Sequence, residues 1–112
     1  MGISTHILDT AKGKPAAKVS IILEMQSAAG VFVELGRGLT DSDGRQKTLL
    51  GDRALTAGVH RLTFDTGGYF AQSGERCFYP SVAVLFEIVD PAQHYHVPIL
   101  LSAYGYSTYR GS

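Results

Sequence analysis

Two histidines stand one residue apart in "HYHVP": His94 and His96. On an extended chain, positions i and i+2 share a face, so both imidazoles point the same way. Imidazole titrates near neutral pH and suits a general base. The same spacing fits two zinc ligands, with His6 or His60 as a third. The structural alternative leaves one histidine solvated at the strand start and the other bonded to a neighbour. Arg45 closes "DSDGR" at the mouth of a strand, where a guanidinium faces either solvent, as most arginines do, or a pocket. The acidic turn before it is no calcium loop. Gly44 falls at the fourth position instead of the sixth, and no Glu stands at the twelfth. Asx-turn chemistry accounts for Asp41, Asp43 and Gly44 without an ion. A lone His6 in "STHILD" reads, by itself, as a structural strand histidine, and Cys77 in "ERCFYP" as a buried thiol with no local base. Neither a phosphate-cradling glycine loop nor a G-x-S-x-G elbow occurs.

The elements that position these groups follow a period of two. "AKVSIILEM" turns Ala17, Val19, Ile21, Leu23 and Met25 to one side, and "VFVELGRG" turns Val31, Val33 and Leu35. "VHRLTFD" offers His60, Leu62 and Phe64, and "SVAVLFEIV" offers Val82, Val84, Phe86 and Ile88. "HILDT", "HYHVPILLS" and "SAYGYSTY" complete the strands, with Pro98 expected at an edge or bulge because it has no ladder donor. "SAAG" predicts a hairpin connection, and "KGKP", "DSDG", "TAG" and "DPAQ" are further turns. "DTGGYFAQSG" breaks the period and predicts one or two helical turns, capped by Asp65 or Thr66 and closing on Gly74. Short strands at this spacing indicate an all-β sandwich.

The 112 residues suit one domain, 1–112, and 45% hydrophobic content supports a packed core. Ten basic residues balance ten acidic ones, so a nucleic acid or an anionic membrane is not an expected partner. One cysteine precludes an intramolecular disulfide and fits a reducing compartment. No apolar run approaches the roughly 18 residues of a membrane span. "MGISTHILD" lacks signal-peptide features, so a cytoplasmic location is expected, or a periplasmic one if a leader has been removed.

"STHILDTAKGKPA", "TDSDGR", "HYHVPILLS" and "YSTYRGS" together resemble the 5-hydroxyisourate hydrolases, or transthyretin-related proteins, over essentially the whole chain. The final "YRGS" is the most specific element, since it separates these enzymes from the transthyretins that share their fold. Ala103 and Ile99 are minor departures, standing where Pro and Leu are usual. The resemblance implies an eight-stranded β-sandwich with one short helix, assembled as a homotetramer, a dimer of dimers, with active sites in the channel between dimers. It implies hydrolysis of 5-hydroxyisourate to 2-oxo-4-hydroxy-4-carboxy-5-ureidoimidazoline, on the route from urate to allantoin, without metal or other cofactor. The implied catalytic residues are His6, Arg45, His96 and Ser112, with His6, Arg45, Tyr109 and Arg110 binding substrate and the tail folded back as a wall of the site. His96 is the preferred base, His6 positions water or substrate, and His94 is structural or at the rim. Ser112 would offer a hydroxyl and a terminal carboxylate. A non-catalytic carrier of a small aromatic ligand and a zinc hydrolase using His94, His96 and His6 are the competing readings.

Overall fold

β1 (Ile3–Asp9) alternates without a break: Ile3, Thr5, Ile7 and Asp9 are buried, and Ser4, His6 and Leu8 face the other way. The computed structural model describes residues 2–112. The other elements are β2 (Lys14–Pro15), β3 (Ser20–Gln26), β4 (Phe32–Leu39), β5 (Arg45–Gln46), β6 (Gly58–Phe64), α1 (Thr66–Ala71), β7 (Val82–Ile88), β8 (Tyr95–Ser102) and β9 (Gly105–Thr108). One sheet runs β2–β1–β8–β9, with β5 also paired to β1, and the other runs β4–β3–β6–β7. All contacts are antiparallel except β1 with β8, where Ser4 pairs with His96 and His6 with Pro98. The inner faces meet in one core that includes Ile3, Ile7, Val97, Ile99 and Leu101 from one sheet and Ile21, Leu23, Leu62, Phe64 and Ile88 from the other. The architecture is the all-β sandwich with one short helix that the sequence indicates. The count is nine strands among the described residues instead of eight, and two of the nine, β2 and β5, are two-residue pairings against β1.

Local details follow the residues. Asp65 caps α1, accepting from the Gly68 N–H at 3.0 Å, and α1 buries Thr66 and Phe70. The "SAAG" turn closes with the Ser27 N–H on the Val31 carbonyl, and Gly30 takes φ +82°. Three expectations are corrected. Ala16, not Ala17, enters the core, because Lys18 adopts φ +60° and resets the alternation before Val19. Val31 and Val33 are 61% and 53% exposed. They lie at one end of an outer strand, beyond a bulge at which β4 advances two residues while β3 advances one. Pro98 lies inside a sheet, on β8 between β1 and β9, not at an edge. It is tolerated because the β8–β9 ladder lapses opposite it: pairing stops at Ile99–Thr108 and resumes, in the same register, at His96–Gly111.

Candidate active site

The outer face of β1 and β8 carries the polar groups that the core cannot hold. Ser4 and His6 project from β1, with His96 across the parallel ladder on one side and Arg45 paired to His6 on the other. The turn before Arg45 locks this arrangement. The Asp41 carboxylate accepts from the backbone N–H of Asp43 and of Arg45, both at 2.9 Å, and these bonds, that of Arg45 foremost, hold its pKa below the usual carboxylate value. Gly44 takes φ +75°, and its carbonyl receives the Ile7 N–H at 2.8 Å. The Asp41 carboxylate is thus spent on the turn itself. That turn also orients His6, whose Nε2–H donates to the Asp43 carbonyl at 2.8 Å, leaving Nδ1 unprotonated in the neutral ring.

His96 is half-buried. Its Nδ1 lies 2.8 Å from the Ser4 hydroxyl, which also lies 2.8 Å from His94 Nε2. Burial first, and then the charges of Arg45, His6 and His94, push the pKa of His96 below the usual histidine value, so it is neutral at neutral pH. The tail returns along β8, and the Gly111 N–H donates to the His96 carbonyl at 2.8 Å. A side chain at Gly111 would collide with the ring, since an added Cβ would sit 2.5 Å from His96 Cδ2. Ser4, Arg45, Lys47, His94, His96 and Ser112 border an open cleft of about 260 Å³.

The expected residues are therefore divided. Arg45, His96 and Ser112 share the cleft, and His6 stands beside it between Arg45 and His96. Tyr109 and Arg110 line a different cavity of about 240 Å³, with Val84, Phe86, Tyr95 and Val97. The Arg110 guanidinium lies over the Tyr95 ring, 4.4 Å from its centre, and donates to Gln93. The two sets divide along the tail: the neighbours Tyr109 and Arg110 line one cavity, and beyond them Gly111 bonds to His96 and Ser112 enters the cleft. Of the two candidate third zinc ligands, His60 stands apart. His60 is buried in the other sheet, and among the described residues no three His, Cys, Asp or Glu side chains converge as a ligand set. Residue-by-residue reading passed over Ser4 and Lys47. Ser4 was detectable in "STH", where it shares the face of His6 at i+2.

The family model described as the HIUase/Transthyretin family matches residues 3–111. The chain belongs to this family. The 5-hydroxyisourate hydrolase of Salmonella typhimurium is 47% identical over 110 residues, covering 98% of this chain and 80% of that protein. The solved structure of Klebsiella pneumoniae 5-hydroxyisourate hydrolase superposes with a TM-score of 0.86 at 34% identity, covering 100% of both chains. Sea bream transthyretin, solved in complex with thyroxine, superposes with a TM-score of 0.93 at 30% identity, covering 99% of this chain and 95% of that one. The fold is thus common to a hydrolase and to a thyroxine-binding protein, and what distinguishes their uses must lie in the side chains.

Proposed function

We propose that this chain hydrolyses 5-hydroxyisourate in the degradation of urate. The observation that carries the reading is the clustering of His96, Arg45 and Ser112 in one polar cleft, with His6 beside it, on a chain 47% identical to a 5-hydroxyisourate hydrolase. In this reading neutral His96 takes a proton from water through Nε2, and the water oxygen adds to the lactam carbonyl carbon. Arg45 holds the carbonyl oxygen as it gains charge. The ring C–N bond then breaks, the nitrogen takes a proton back, and the carbonyl carbon leaves as the carboxylate of 2-oxo-4-hydroxy-4-carboxy-5-ureidoimidazoline. His6 aligns water or substrate, and Ser112 adds a hydroxyl to the cleft.

The proposal extends to a homotetramer built as a dimer of dimers. β7 and β9 are outer strands with unpaired edges, and Leu85 and Tyr109 beside them are exposed. In such an assembly Tyr109 and Arg110, which lie outside the cleft of their own chain, would have to reach substrate across a subunit contact. Light scattering after gel filtration reads the assembly. The activity is read by the ultraviolet decay of freshly generated 5-hydroxyisourate with and without a chelator. Accelerated decay that the chelator leaves unchanged is expected. Decay no faster than without protein would refute hydrolysis, and loss restored by zinc would refute the metal-free mechanism.

A further inference from the structure

The Ser4 hydroxyl has one proton and two imidazole neighbours, each at 2.8 Å. It therefore donates to one ring and accepts from the other when both rings are neutral. Three observations set the direction. The His96 nitrogen not held by Ser4 has no hydrogen-bond partner among the described residues and belongs to a ring that lines the open cleft, where a lone pair can accept from water. Arg45 lines the same cleft and is the strongest of the neighbouring charges acting on His96, which favours a lone pair over an N–H on that side. His94 is exposed, so its other nitrogen can carry its proton in water.

We propose that Ser4 and His94 are positioning residues that lock His96 in one tautomer. Nδ1–H of His96 donates to Ser4 Oγ, Ser4 Oγ–H donates to His94 Nε2, and Nε2 of His96 is left with its lone pair for water. This rests on the reading of His96 as the base and gives His94, expected to be structural or at the rim, a definite task. The ring is held from two sides, by Ser4 at Nδ1 and by Gly111 at the Cδ2 edge, so the chain of bonds fixes both its orientation and its protonation. The groups facing His96 are Arg45 and Lys47 from and just beyond β5, His6 and Ser4 from β1, His94 ahead of β8, and Gly111 and Ser112 from the tail. None of them besides Ser4 bonds His96 Nδ1.

The test pairs kinetics with a readout that needs no turnover. Nitrogen-15 NMR of the histidine-labelled protein should show His96 protonated at Nδ1, and Ser4→Ala should shift it toward the Nε2–H form. Ser4→Ala should lower kcat by roughly tenfold or more with KM little changed, and should move the acid limb of the pH–rate profile. Ser4→Thr, which keeps the hydroxyl, should restore both. His94→Gln, whose carbonyl can still accept from Ser4, should keep most of the rate, whereas His94→Phe should resemble Ser4→Ala. A wild-type His96 protonated at Nε2, or a Ser4→Ala protein with unchanged kcat and pH profile, overturns the lock. His96→Ala with full activity would instead overturn the reading of His96 as base, and the NMR arm would still judge the tautomer.

Discussion

His96 is placed by three neighbours with different jobs. Ser4 holds Nδ1, Gly111 lies against the ring edge, and burial with Arg45 nearby keeps the ring neutral. A neutral base at neutral pH is what water activation needs. His96→Ala should therefore lower kcat by roughly a hundredfold or more with the fold intact, as measured by initial rates and circular dichroism. Arg45→Ala should cost a similar factor, and Arg45→Lys should recover only part of it, because an ammonium lacks the planar fork. The acid limb of the rate profile should lie below the ordinary histidine value of 6.5, since the lowered pKa of His96 keeps it unprotonated to lower pH. A limb above 6.5 would contradict the assignment. The identity of these residues was legible in "STHILD", "DSDGR" and "HYHVP" through resemblance. Their partnership was not, because Ser4 and His94 lie ninety residues apart in sequence and meet only through the parallel β1–β8 pairing.

The turn and the tail are the elements that deliver the site. Residues 41–44 use one aspartate to fold the turn and one carbonyl to aim His6, and Gly44 makes the reversal possible at φ +75°. A Cβ at Gly44 would also approach the Ile7 carbonyl to 2.5 Å. Gly44→Ala should thus destabilise the protein by at least about 1–2 kcal/mol in denaturant unfolding, the cost of forcing an L side chain into the left-handed region. It should reduce activity as well, since Arg45 and His6 both hang on that turn. Gly111→Ala tests the tail: it should leave the unfolding midpoint nearly unchanged while lowering kcat, because the clash is with His96 itself. Strand periods, the helix and its Asp65 cap were readable from alternation and composition. The inward faces of Ala17, Val31 and Val33 were not, since a single left-handed Lys18 and a one-residue bulge in β4 each shift the phase. The split of "YRGS" was not readable from a period of two, because the neighbours Tyr109 and Arg110 line one cavity while Ser112 lines the other.

At the scale of the whole molecule the sandwich buries its apolar faces and leaves the chemistry on an outer surface, where the cleft is open. A histidine is among the buried groups. His60 is fully buried beside Phe86, its Nδ1–H on the Gly58 carbonyl at 3.0 Å and its Nε2 without a partner, and burial lowers its pKa. The unfolded chain then binds more protons than the folded one at and below about pH 6.5, so stability is full above that value and falls as pH drops through it. His60→Phe should flatten this dependence in unfolding curves taken between about pH 5 and 8, leaving the part due to His96. Why a sandwich of this shape should serve a hydrolase in one relative and a thyroxine-binding protein in another cannot be read from the strands, which are common to both. We propose that the side chains on the outer face of β1, β5 and β8 hydrolyse 5-hydroxyisourate with His96 as base. The most direct measurement follows the ultraviolet decay of freshly generated 5-hydroxyisourate with the wild-type protein and with His96→Ala, each shown to be folded. Rapid decay with wild type and near-background decay with His96→Ala is the predicted result. Equal rates for the two proteins, or no acceleration by either, would contradict it.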